Sequence, residues 1–358
     1  MFVIEFIRDV IVSAMSMLNS ASVWMVLSFF IAGLIHEFVN VESMRKMSLG
    51  TSSVKGILMT TISGMFIPIC SCGTIPLGIS MYYSGAFLGP TLEFMTSTPM
   101  INPIAIILAF GLLGKRIAII YIATGFLAPL IIGTIANMMG GDELYYAPAY
   151  NNTRPQLNLV SKKPSFMKRL KGGLRWSFLD LSIAISKYTV SGMLIAGLLF
   201  TVVPQEWIQT YLGEPGMVSL LGITVVAALM YVCAVGHIPF IAALVASGAA
   251  PGVAVTFLMA GCATNIAELI SINKMIGRRA MVIYSVTVIA ISEIAGYLTN
   301  VLLPDFEPVL DYDAVTHSIS NANNLIIDFP DWMQYICSFI LIGYACVALA
   351  RWIKKKAA

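Results

Sequence analysis

The sequence predicts an all-α polytopic membrane protein built from two homologous repeats, favoured as inverted, with broken or re-entrant helices and about 8–10 transmembrane segments. Three observations carry this prediction. Hydrophobic residues make up 58% of the 358-residue chain and charged residues 11%, against about 25% charged in soluble domains. Apolar runs follow one another at 23–36, 117–139, 183–203 (interrupted by Lys187), 217–235, 281–303 and 333–352. Most reach the roughly 20 residues that cross a hydrocarbon core. Finally, Cys70-Ser71-Cys72-Gly73-Thr74-Ile75-Pro76 recurs at a constant offset of 163 positions as Cys233-Ala234-Val235-Gly236-His237-Ile238-Pro239.

The opening stretch, 1–18, contains Glu5, Arg8 and Asp9. It therefore reads as an amphipathic or first-span helix rather than a cleaved signal peptide. At the same offset Ser84-Gly85-Ala86 falls on Ser247-Gly248-Ala249, Asn102 on Asn265, Gly114 on Gly277, Arg116 on Arg279 and Tyr121 on Tyr284. Outward, Ile31-Ala32-Gly33-Leu34 resembles Ile195-Ala196-Gly197-Leu198 with one residue of slippage. The first unit is placed at 1–145, a polar linker at 146–163 and the second unit at 164–305. An acidic extracytoplasmic loop follows at 306–331, then a last transmembrane helix with a basic tail at 332–358.

Lys and Arg set orientation in membrane proteins. The C-terminal lysines, Arg45, Lys46 and Lys55, and the cluster from Lys162 to Arg175 all argue for the cytoplasm. These can share one side only if each unit crosses an odd number of times, which inverts the repeats. Lys115 and Arg116 then face outward, against the rule. The net charge of +3 is distributed over loops, and no basic patch with interleaved aromatics indicates a nucleic-acid partner.

Backbone that leaves helical geometry inside a membrane must be buried in protein or line a wet cavity. Each unit has two such breaks. One is the Cys-bearing segment. The other is Thr96-Ser97-Thr98-Pro99-Met100-Ile101-Asn102-Pro103, matched by Ala260-Gly261-Cys262-Ala263-Thr264-Asn265. Cys70 and Cys72 flank a single residue, so an extended stretch points both thiols to one face. Thiolates select soft metals, and a pair also suits trivalent arsenic. Convergence of the breaks would ring one cavity with Cys70, Cys72, Cys233, Cys262 and His237. Thr98, Asn102, Thr264 and Asn265 would add hydroxyl and amide groups. Cys337 and Cys346 read as packing residues of the last span. Of the intramembrane carboxylates, Glu268 lies one helical turn after Asn265 and ranks first, whereas Glu93 follows the Gly89-Pro90 turn and reads as interfacial. No metal beyond a transported species at Cys70 and Cys72, and no cofactor, is implied.

The string Pro68-Ile69-Cys70-Ser71-Cys72-Gly73-Thr74-Ile75-Pro76-Leu77, with Ser97-Thr98-Pro99-Met100-Ile101-Asn102-Pro103, resembles the predicted permeases of the YraQ/ArsP type. So does Gly261-Cys262-Ala263-Thr264-Asn265-Ile266 with Gly277-Arg278-Arg279. The resemblance covers nearly the whole chain. It implies a permease, in one branch exporting trivalent organoarsenicals through cysteines of the first motif and the second unit. Another branch, associated with copper or zinc, carries an acidic signature where this chain has Met-Ile-Asn-Pro. In many members the position of Cys262 is Pro.

The expectation is therefore a multi-pass permease of the cell (inner) membrane, not an enzyme, exporting a thiophilic metalloid or metal through a site between the repeats. Its partners are the bilayer and a small-molecule or ion substrate, and a homo-oligomer is left open. The alternatives are a permease for an anion or small organic solute, or a membrane thiol redox protein. A nucleotide-binding Gly-Lys-Thr/Ser motif is missing from the sequence, so the energy source is an ion gradient or a partner.

Overall fold

A computed structural model describes residues 2–39, 41–67, 69, 71–148, 166–202, 216–230, 232–246, 248–304, 306 and 329–357. Cys70, most of the linker and most of the acidic loop lie outside the described residues. Among those described, the chain is helical throughout, with one isolated bridge between Phe87 and Tyr145. Six helical stretches are long and apolar enough to cross a membrane: Glu5–Phe38, Pro103–Met139, Phe166–Ile195, Pro251–Met275, Arg278–Leu302 and Asp331–Lys354. The protein is all-α and multi-pass.

The duplication survives in the helices. In the first unit, α1 (Phe2–Phe38) and the short α2 (Val41–Lys46) precede α3 (Val54–Phe66), α4 (Ser71–Tyr83) and α5 (Leu88–Met100). Then come α6 (Pro103–Leu108), a π-helical turn at Ala109–Leu113, and α7 (Gly114–Met139). The second unit opens with α8 (Phe166–Trp176), which runs through a π turn at Ser177–Leu181 into α9 (Ser182–Val202). It continues as α10 (Met217–Leu229), α11 (Ala234–Ala246), α12 (Pro251–Ala263), α13 (Ile266–Met275) and α14 (Arg278–Leu302). The last helix, α15, is Asp331–Ala357. Shifted by 163 positions, α3, α4 and α5 coincide with α10, α11 and α12 at both ends.

Local chemistry repeats with them. Gly85 (φ 100°) and Gly248 (φ 101°) make the same left-handed turn, a conformation that costs other residues but not glycine. Asn137 accepts the Gly89 N–H at 2.8 Å, and its partner Asn300 accepts that of Gly252 at 2.7 Å. Asn102 and Asn265 both sit in extended conformation and cap the helix that follows.

Helices α3, α4, α10 and α11 are 13 residues each, about 20 Å long. None alone crosses a core of about 30 Å. At the centre lie α5 and α12, in which all 13 residues are buried. Small residues permit this packing. A Cβ at Gly252 would strike the Gly296 carbonyl of α14, and one at Gly133 of α7 would come within 3.2 Å of Glu93 Cβ on α5.

The first helices of the two units pack against each other in opposite directions. Phe38 meets Phe166 with ring centroids 5.2 Å apart, and Arg169 pairs with Glu37 at 3.5 Å. Gly33 abuts Gly173, Ser177 donates to the Phe29 carbonyl, and Gly197 faces Ala14 and Val10. As numbers fall along α1 they rise along α8 and α9, so the pair is antiparallel.

Candidate functional site

Three of the breaks, at the ends of α5 and α12 and the start of α11, come together beside Tyr121 of α7. After α12 the chain leaves helical geometry at Thr264 and Asn265, then re-enters as α13. The Asn265 carbonyl accepts the Glu268 N–H at 2.9 Å, while its amide donates to Glu268 Oε2 at 3.0 Å. The other carboxyl oxygen, Oε1, accepts the Tyr284 hydroxyl of α14 at 3.1 Å. That same hydroxyl meets Thr96 on α5. A fully buried carboxyl in the second unit is thereby linked through one phenol to the first.

Cys262, fully buried on α12, lies one turn before that break. The N–H of Ala234, first residue of α11, is directed at its sulfur, and Cys233 and Glu268 are its near charged or ionisable neighbours. Tyr121 of α7 faces both Cys262 and Cys233 across the unit boundary, and its hydroxyl donates to the Met100 carbonyl. Cys233 is half-buried and Cys262 fully buried.

The remaining sequence candidates are placed as follows. His237 is turned back on its own helix start, with Nδ1 3.1 Å from the Cys233 carbonyl and its N–H donating to that carbonyl at 2.9 Å. Cys72 lies in the first turn of α4, 2% exposed. Asn102 caps α6 by accepting the Ala105 N–H at 2.9 Å. Thr264 donates to the Ala260 carbonyl at 2.6 Å, whereas the buried Thr98 and Ser97 hydroxyls have no hydrogen-bond partner among the described residues and lie against Gly64. Among the described residues no three His, Cys, Asp or Glu side chains converge as a metal-holding group. Cys337 is buried and Cys346 exposed on α15, away from the breaks.

Three features were missed or misread in the sequence. Glu93, which the Gly89-Pro90 turn suggests is interfacial, is fully buried within the protein on α5, and both carboxyl oxygens contact α3 hydroxyls, Oε2 that of Thr60 and Oε1 that of Thr61. Helix α5 is enclosed by α3, α4 and α7. A third buried carboxyl, Glu293 on α14, accepts the Thr224 hydroxyl at 2.6 Å. Tyr121 and Tyr284 were visible as repeat partners, and that pairing was the available signal. The carboxyls gave none, because Glu93 is matched by Thr256 and Glu293 by Leu130.

Two units of broken helices, meeting at enclosed thiols, phenols and a carboxyl inside a multi-pass membrane protein, define a membrane permease. The ArsP_1 family model, described as a predicted permease, matches residues 7–301, and the chain belongs to that family. It is similar to the UPF0718 protein MJ0584 of Methanocaldococcus jannaschii, at 25% identity covering 84% of this chain and 98% of that one. The UPF0718 protein YcgR of Bacillus subtilis is 24% identical, covering 79% and 94%. The putative permease Rv2963 of Mycobacterium tuberculosis is 24% identical, covering 84% and 77%. No solved structure matches the chain.

Proposed function

We propose that this permease exports a trivalent, thiol-seeking metalloid species, a monosubstituted organoarsenical, between two inverted repeats. The observation that carries the reading is the Cys233–Cys262 pair, two thiols from different breaks with a third group, the Tyr121 hydroxyl, facing both. A species R–As(OH)2 reacts with two thiols to give R–As(SR)2 and two waters, so two sulfurs satisfy it. A divalent metal asks for about four ligands, and among the described residues no such group converges. Cys72, and Cys70 as the sequence counterpart of Cys233, would supply an exchange pair on the first unit.

The anion alternative is weaker on electrostatic grounds. The start of α13 is where a helix would offer its partial positive charge. Asn265 already caps it, and the Glu268 carboxyl occupies its first turn.

The antiparallel packing of α1 on α8 and α9 supports inversion. A two-fold axis relating two antiparallel helices is perpendicular to both. If they cross the bilayer, that axis lies in its plane and the units have opposite orientation. A site at the axis can then open to either side by rocking one unit on the other.

Methylarsenite transport in proteoliposomes tests the substrate. Cys233→Ser and Cys262→Ser should each abolish it, and Cys72→Ser should slow it. Equal rates in wild type and the Cys233→Ser/Cys262→Ser double variant would sink the reading.

A further inference from the structure

We propose that Glu93, with Thr60 and Thr61, is a proton-binding site that energises transport, separate from the thiol pair. The inference rests on the permease reading above and adds its energy source. Glu93 lies on a central helix, wholly enclosed, and among the described residues no Lys, Arg or His neighbour neutralises it. An enclosed carboxyl without a counter-cation is expensive as an anion. Its partners are two hydroxyls on one turn of α3.

Those hydroxyls have a second set of acceptors. Thr60 Oγ is 2.8 Å from the Gly56 carbonyl and 3.0 Å from that of Ile57, and Thr61 Oγ is 3.2 Å from the Ile57 carbonyl. Each hydroxyl has a single hydrogen to give. With Glu93 ionised, both hydrogens point at the carboxylate. With Glu93 protonated, Thr60 turns its hydrogen to the Gly56 carbonyl and accepts the carboxyl proton, while Thr61 still donates to Oε1. Both protonation states are therefore fully hydrogen-bonded without moving a heavy atom.

The titratable groups on the packed helices do not replace a proton. Lys55 on α3, and Lys115 and Arg116 at the far end of α7 from Gly133, are exposed. Tyr82 and Tyr83 on α4 donate to the carbonyls of Glu143 and Met275, Tyr121 to that of Met100, and Cys262 on α12 sits beside Cys233. Cys72 is in the opposite half of α4 from those tyrosines. A link to the thiol site runs along α5. Thr96, one turn beyond Glu93, meets the Tyr284 hydroxyl that binds Glu268. A proton taken from water on one side would loosen the grip of α3 on α5, and it would return to water on the other side when the units rock.

Infrared difference spectra of the purified protein, recorded as pH is stepped, read the carboxyl directly. The expected result is a protonated-carboxyl C=O band that grows as pH falls, disappears in Glu93→Gln, and is the same in sodium and potassium buffers. The Thr60→Val/Thr61→Val variant keeps the carboxyl and should shift the band, which covers the case of a Glu93→Gln protein that does not fold. A spectrum unchanged in Glu93→Gln overturns the site, and a band that responds to sodium replaces it with a metal-ion site. A titrating Glu93 in a protein that moves no methylarsenite keeps the proton site and sinks the substrate reading. Methylarsenite transport that follows an imposed pH gradient in wild type and ignores it in Glu93→Gln supports both.

Discussion

The Glu143 carboxylate accepts hydrogen bonds from the backbone N–H groups of Arg279 and Ala280, so a residue just past α7 caps α14 of the other unit. The first turn of a helix carries unpaired N–H groups and partial positive charge, which an anion satisfies. Gly277 and Gly141 admit this approach, since a Cβ at the first would strike Glu143 and at the second would meet the Arg279 guanidinium. The repeat partner of Glu143 is Phe306, so the duplicated pattern does not carry this carboxylate. Glu143→Ala should lower stability by about 1–2 kcal/mol, read as a lower melting temperature in detergent. Glu143→Gln should recover part of it. An unchanged melt in the alanine variant would show that the clamp contributes nothing.

Packing of α12 on α14 depends on two glycines in register. A methyl at Gly252 would strike the Gly296 carbonyl and the Asn300 side chain, and one at Gly296 meets the Thr256 hydroxyl that donates to the Ser292 carbonyl at 3.1 Å. Gly252→Ala or Gly296→Ala should each cost about 1–3 kcal/mol through overpacking. Gly343→Ala on α15 meets nothing within 4 Å and is the control. There a helical Gly→Ala change should be neutral or slightly stabilising, by about 0.4–1 kcal/mol. Equal melts for all three variants would contradict the close approach.

The two repeat-partner tyrosines should separate by function. Tyr284→Phe removes a donor from the buried Glu268 carboxyl, while Tyr121→Phe removes a donor to the Met100 carbonyl. Loss of one partner of a buried charged or polar group costs about 1–3 kcal/mol, roughly a 5- to 150-fold change. In methylarsenite transport, Tyr284→Phe should alter the rate and its dependence on external pH together. Tyr121→Phe should weaken substrate affinity, as a raised KM, with the pH profile retained. Identical pH profiles in wild type and Tyr284→Phe would remove Glu268 and its phenol from the pathway.

What the sequence displayed was what duplication had kept. The turn at Gly85 and Gly248, the caps at Asn102 and Asn265, and the ends of α3 to α5 and α10 to α12 all follow from the constant offset, because both copies need the same backbone geometry. Side chains that serve only one copy were harder to see. The burial of Glu93 is invisible in sequence because a Gly-Pro turn does not say what packs on the helix after it, and the enclosure comes from α3 and α7. Glu293 looked like an ordinary position in a long apolar run until Thr224 of α10 was brought to it. For His237, next in the repeat motif to a cysteine, the sequence does not show that the helix start sets its Nδ1 against the Cys233 backbone.

Inversion of the two units makes the sharpest demand on topology. Lys55 and Val218 are repeat partners, each the second residue of a 13-residue helix, and both are exposed, Val218 at 83%. Parallel repeats would put the starts of α3 and α10 on the same side of the membrane. Inverted repeats put them on opposite sides, with Lys55 cytoplasmic by the positive-inside rule. Single cysteines, Lys55→Cys or Val218→Cys in a background with the native cysteines replaced, can be probed in sealed vesicles of known orientation with a membrane-impermeant maleimide. Val218→Cys should react from the extracytoplasmic side alone and Lys55→Cys from the cytoplasmic side alone. Labelling of both from one side would refute inversion, and with it the two-fold axis in the membrane plane that the antiparallel contact of Gly33 with Gly173 supports.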